Sequence, residues 1–93
     1  MKYEIRYSNQ FKRQMKKLLR SSRGKIVQEL ERVIGFLAAG QSLLPRYRNH
    51  KLVGSLRGFQ ECHIAPDWLL VYRIYEEILI LELVATGTHS ELF

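Results

Sequence analysis

Residues 78–85, Ile-Leu-Ile-Leu-Glu-Leu-Val-Ala, form an almost continuous aliphatic run, and this run most restricts the fold. It is far shorter than the roughly 20 residues needed to cross a bilayer. It reads instead as a strand, central in a sheet and covered on at least one face. Two further strand-like runs precede it, Phe59–Ile64 and then Trp68–Tyr75, the latter rich in Val, Tyr and Ile. Ala65, Pro66 and Asp67 make the turn between those two. Glu76 and Glu77 make the next connection, although they are poor hairpin residues. Such short loops predict an antiparallel meander.

The N-terminal half has helical periodicity. Residues 3–7 alternate as a short half-buried strand. Ser8, or Asn9, can cap a helix whose apolar stripe is Phe11, Met15, Leu18 and Leu19. Ser22 can cap a second helix with the stripe Ile26, Val27, Leu30, Val33, Ile34 and Leu37, and Gly40 is placed to stop it. Residues 41–57 read as a loop with some local order, where Pro45 prevents ordinary helix or central strand. The order β-α-α-β-β-β predicts an α+β fold, with two helices packed on one face of a small antiparallel sheet. The whole chain, 1–93, reads as one domain, and the uncovered face of the sheet is free to carry a site.

Charge is distributed unevenly. The net charge is +6. Residues 1–25 hold nine Lys/Arg against the single acid Glu4, and the remaining 68 residues hold six against eight acids. Lys12, Arg13, Lys16, Lys17 and Arg20 lie opposite the first helix's stripe, solvent-facing and away from any site at the sheet's end. Such a patch suits a polyanion such as RNA, or is simply a solvated face. The one cysteine, Cys62, excludes an intrachain disulfide and a cysteine-based zinc site. Nothing resembles a signal peptide or a membrane span, so a cytoplasmic location is expected.

Three histidines carry the chemical interest. Alternation in Phe59–Ile64 puts Cys62 and Ile64 on one face and Phe59, Glu61 and His63 on the other. Cys62 and Ile64 suit the core, which aims Glu61 and His63 at the open face. In a meander the turn at Asp67 and the segment after the last strand, with His89, lie at the same end of the sheet as His63. His50 sits in the loop. No histidine pair has a helical i, i+4 spacing, so neither a metal nor a cofactor is expected. Imidazoles can give and take protons at neutral pH. RNA supplies its own nucleophile, the 2′-hydroxyl, so a base, an acid and a cation near the phosphate suffice. Trp68 or Phe93 could stack an unpaired base. Trp68 could equally pack in the core, and Asp67 could be a simple turn residue.

The segments His50–Gly54, Gly58–Tyr72 and Thr86–Phe93 resemble the YafQ branch of the RelE/ParE toxin superfamily. Leu44-Pro45, Tyr47 and the opening Tyr-Ser-x-x-Phe-Lys-Arg at 7–13 fit as well. The resemblance spans essentially the whole chain. It implies a type II toxin that cleaves mRNA in the ribosomal A site, neutralised by a cognate antitoxin with which it binds operator DNA. Matched by position, it implies an active-site set of His50, His63, Asp67, His89 and Phe93, with Trp68 beside them. Some relatives carry an arginine just before the Thr-Gly-x-His segment; here that position is Ala85. The phosphate must then meet another cation, for which Arg48, Lys51 and Arg57 are candidates. The superfamily also contains ParE-like inhibitors of DNA gyrase that cut no RNA. The three histidines, Asp67 and Leu92-Phe93 favour the nuclease. An architectural DNA-binding module is weaker still, because no helix-turn-helix pattern is present.

Overall fold

The computed structural model describes residues 1–93. Strand β1 (Glu4–Tyr7) leads into helices α1 (Asn9–Leu19) and α2 (Gly24–Ala38). A 3-10 turn at Pro45–Tyr47 precedes the short strand β2 (His50–Lys51), and a second 3-10 turn spans Gly54–Leu56. Strands β3 (Gln60–Ala65), β4 (Trp68–Tyr75) and β5 (Ile80–Gly87) follow, and the chain ends in a helical turn, α3 (His89–Leu92). The five strands lie in the order β1-β5-β4-β3-β2.

Local chemistry explains the boundaries. The Ser8 hydroxyl accepts from the Phe11 N–H at 2.9 Å, capping α1, and donates to the Val84 carbonyl at 2.6 Å. The cap therefore also ties α1 to β5. At the end of α2, Gly40 takes φ +77°. Its N–H reaches the Leu37 carbonyl at 3.0 Å, and that of Gln41 reaches Phe36 at 2.9 Å. This pair closes the last carbonyls of the helix, at a backbone angle that glycine adopts without steric cost. The second helix is capped at Arg23 rather than Ser22, and no side chain bonds the cap.

The α+β layout and the meander are as expected. Phe11 and Leu18 of α1 pack with Leu30, Val33 and Leu37 of α2 over Cys62, Leu70, Tyr72, Leu81 and Leu83 of the sheet. Full burial of each such aliphatic side chain is worth about 1.5–3 kcal/mol. Leu81 and Leu83 are fully buried on β5, flanked by β1 and β4, so the aliphatic run is central.

Four details correct the expectation. The sheet is mixed, because β1 pairs parallel with the outer edge of β5, Glu4 opposite Ile80. Part of the expected loop forms β2, with His50 opposite Glu61 in antiparallel register. The third meander strand runs Ile80–Gly87, not 78–85. Ile78 and Leu79 are drawn into the Glu76–Leu79 turn, where Leu79 adopts φ +54° and both side chains are exposed. Register decides this: Tyr75 pairs with Ile80, and the ladder runs on to Leu69 opposite Gly87. Leu19 leaves the stripe and is exposed, since it stands about 100° around the helix from buried Leu18.

Candidate active site

The site forms on the sheet face away from α1 and α2, at the end where β3, β4 and β5 meet α3. Glu61 and His63, two residues apart on β3, share this face, and the β2–β3 ladder brings His50 opposite Glu61. The imidazoles stand in a row: ring centroids are 6.3 Å apart for His50 and His63, and 5.7 Å for His63 and His89. Glu61, buried beneath the row, places Oε1 3.6 Å from His50 Nε2 and 3.8 Å from His63 Nε2. Leu69, Val71 and Ala85 are buried here but stand outside the main core cluster, forming an apolar floor.

Each end of the row is held by a specific bond. Asp67, in the β3–β4 turn, places Oδ1 3.0 Å from His89 Nδ1 and accepts the His89 backbone N–H at 3.3 Å. The hydrogen bonds from His89 hold the Asp67 carboxyl below its ordinary range, so at neutral pH it can only accept. His89 Nδ1 therefore carries a proton, and Nε2 is left for chemistry. At the other end His50 Nδ1 lies 3.0 Å from the Arg48 carbonyl. A carbonyl also only accepts, which turns His50 Nε2 toward Glu61. His63, in the centre, is the most enclosed. Burial pushes its pKa below the usual histidine value, and the Arg48 charge lowers it further, while Glu61 opposes both. Its Nδ1 is buried with no hydrogen-bond partner.

The C-terminal turn is anchored in its own right. Thr88 and Glu91 form a reciprocal capping box: the Thr88 hydroxyl accepts from the Glu91 N–H, and Glu91 Oε1 accepts the Thr88 N–H at 2.8 Å. This fixes where α3 starts, and hence where His89 points. Phe93 donates its N–H to the His89 carbonyl at 2.9 Å and leaves its ring exposed.

The structure thus brings together His50, His63, Asp67 and His89, with Phe93 one turn beyond His89. Trp68 is a correction. It lies in the core, 5% exposed, with Nε1 donating to Thr86 Oγ1 at 2.9 Å and the Arg23 guanidinium 5.1 Å from its ring. It cannot stack a base without leaving the core. Ala85 is buried opposite Val71 and offers no cation. Of the three proposed substitutes, Arg48 lines one cleft with His63, whereas Lys51 and Arg57 line a different one. Lys12, Arg13, Lys16, Lys17 and Arg20 are all exposed. Lys17, expected to lie apart from the site, instead reaches Glu91 at 3.5 Å, in the turn that begins with His89. Glu61 was legible as an open-face residue but not as a partner of two histidines, because that depends on β2.

This chain matches the family model for the bacterial toxin of the type II toxin-antitoxin system, YafQ, over residues 3–93. It belongs to the YafQ family. A curated relative, the mRNA interferase toxin YafQ of Escherichia coli K12, is 35% identical over 91 residues, covering 97% of this chain and 95% of that one. Among solved structures, a metal-bound toxin from Helicobacter pylori superposes with a TM-score of 0.89 at 42% identity, covering 98% of this chain and 99% of that one. The toxin of the E. coli DinJ-YafQ toxin-antitoxin complex superposes with a TM-score of 0.83 at 32% identity, covering 100% and 99%. In this member of the YafQ family, His50, Glu61 and His63 each offer one ligand atom, all within 4.8 Å of one another. Two imidazole nitrogens and a carboxylate oxygen suit a zinc- or copper-type ion, which would supply Lewis acidity. Sequence spacing concealed the set because its members come from two strands.

Proposed function

We propose that this YafQ-family chain is an mRNA interferase, an endoribonuclease that cuts mRNA in the ribosomal A site by proton transfer from the RNA to one histidine and from another histidine to the RNA, with no metal in the chemical step. The observation that carries this reading is the imidazole row, in which Asp67 fixes His89 Nδ1 and leaves Nε2 as the transfer atom.

His63, kept neutral by burial, acts as the base and takes the proton of the 2′-hydroxyl. The 2′-oxygen bonds to the adjacent phosphorus while the bond to the 5′-oxygen breaks. His89 Nε2 protonates that leaving oxygen, and Asp67 holds the ring and faces the charge it carries. The products are a 2′,3′-cyclic phosphate and a 5′-hydroxyl. Each proton-transfer group of this kind contributes typically 10²–10⁴-fold in rate. Arg48 meets the phosphate charge in place of an arginine at Ala85, His50 and Glu61 set the charge around His63, and Phe93 stacks the exposed base. The basic face of α1 holds ribosomal RNA by its phosphates. In the cytoplasm a cognate antitoxin covers the toxin, and the complex binds operator DNA.

The test uses ribosomes programmed with a defined mRNA. His89→Ala should abolish cutting of the ordinary transcript but cut a transcript whose scissile 5′-oxygen is replaced by sulfur, a leaving group that needs no acid. His63→Ala should cut neither. Cutting at the parental rate by His89→Ala on the ordinary transcript would end the reading. So would a 3′-hydroxyl product, or loss of activity in chelator that one added metal restores, on a short RNA away from the ribosome's own magnesium.

A further inference from the structure

A cleft of about 480 Å³ opens beside the histidine row, between the first turns of α2, the Pro45–Tyr47 turn and the end of β3. His63 belongs both to the row and to the wall of this cleft. We infer that the cleft is a subsite for the nucleotide of the RNA strand that adjoins the scissile phosphate. The inference rests on the nuclease reading above and extends it.

Its wall joins cations to an apolar surface. Lys25, Arg46 and Arg48 line it, together with Ile26, Ile64 and Pro66. The only acid among the lining residues, Glu29, is already engaged: the Tyr47 hydroxyl donates to it, and Arg46 and Arg32 approach it at 3.4 and 4.0 Å. Arg46 is itself held, its guanidinium 4.9 Å from the Tyr47 ring and donating to the Tyr47 hydroxyl at 2.9 Å. That leaves donors of a fixed planar fork free for a phosphate. Lys25 and Arg48 make no ion pair in the protein.

A nucleotide has the same mixed chemistry, one phosphate on a flat, largely apolar base and sugar. The cleft volume lies within the range of small-ligand sites, about 300–1,000 Å³, and exceeds the need of a single anion. Continuity decides the occupant. A strand whose scissile phosphate sits between His63 and His89 runs past His63 into this cleft, whereas a free ligand there would have no reason to share the base.

The probe is a single-stranded RNA pentamer with a 2′-deoxy sugar at the scissile position, so that it binds without being cut. Trimers truncated on either side serve for comparison, and affinity is followed by fluorescence anisotropy over a potassium chloride series. The parent should bind the pentamer several-fold more tightly than one of the trimers. Lys25→Ala and Arg46→Ala should erase most of that difference, and each should lower the salt slope by at most about 0.7. On programmed ribosomes Lys25→Ala should raise KM and leave kcat near the parental value. Lys25 is exposed, so its loss leaves the fold intact. Unchanged pentamer affinity and salt slope in both variants would overturn the subsite. The same result with weakened antitoxin binding would assign the cleft to protein instead, and equally overturn it. Failure of the catalytic reading is separable, because His89→Ala should lose cutting while keeping the parental affinity for the pentamer.

Discussion

Thr86→Val tests whether the site depends on a bond buried beneath it. Thr86 is 1% exposed. Its hydroxyl accepts from Trp68 Nε1 at 2.9 Å and donates to the Leu69 carbonyl at 2.8 Å. One oxygen therefore links β5, just before the His89 turn, to β4, just after Asp67. The Thr86 N–H separately donates to Gln14 Oε1 at 2.8 Å, and valine preserves that bond. Valine also keeps the shape, so packing changes little while the Trp68 N–H loses its acceptor in the core. An unpartnered buried donor costs about 1–3 kcal/mol. For a domain of this size each 1 kcal/mol moves Tm by about 4–8 °C, so a fall of about 8–16 °C is expected for a loss of about 2 kcal/mol. The chain has a single tryptophan, so its emission reports the same site and should shift to the blue, because an indole N–H left without an acceptor in an unchanged apolar surround loses stabilisation of its excited state. Well below the melting range, kcat on programmed ribosomes should fall by about tenfold, because small misplacements of reacting groups are costly. Thr86→Ser keeps the oxygen and removes one methyl, worth about 1 kcal/mol. It should melt above Thr86→Val and retain more activity. A serine variant less stable than the valine variant would show that packing, not the hydrogen bond, matters here, and would refute the reasoning.

The depressed pKa of His63 gives two pH effects. The folded chain binds fewer protons than the unfolded chain between the lowered value and the ordinary 6.5, so stability should rise with pH across that window and level off above it. The acid limb of kcat/KM should likewise lie below 6.5, and Arg48→Gln, which removes a nearby positive charge, should move it upward; a limb that stays in place removes Arg48 from the site's electrostatics. Zinc added in excess should inhibit, because His50, Glu61 and His63 can bind it and would then withhold His63 from proton transfer; stimulation by zinc would instead favour metal-assisted cutting. Neutralising Lys12, Lys16 and Lys17 together should weaken ribosome association and flatten its salt dependence by roughly one unit of slope per lost contact at most. Stability should change little, since these side chains are exposed and the Lys17–Glu91 pair is a surface contact. Affinity unchanged over a salt series would take α1 out of the substrate interface.

Periodicity along the chain was enough for β1, for the two long helices and for the three meander strands in outline, and for the sheet face that each β3 residue takes. Ser8 was legible as a cap and Gly40 as a stop because both act on their own neighbours. Cys62 and Ile64 turned inward and Glu61 and His63 outward because side chains in a strand alternate. Even the convergence of His63, Asp67 and His89 followed from a meander with short turns. Contacts between distant segments were settled only in three dimensions. That His50 faces Glu61 depends on a two-residue strand too short to leave a pattern. The third strand's slide to Ile80–Gly87 was set by its register against β4, which the unbroken aliphatic run could not specify. Trp68 had the same composition-level claim to core and to surface. Its place in the core was decided by the bulge between His63 and Ala65 that seats it opposite Ala65, and by the Thr86 hydroxyl waiting eighteen residues away. Local hydrogen bonding and side-chain alternation are properties of a segment, whereas register, burial and the pairing of imidazoles with carboxylates are properties of the packed whole.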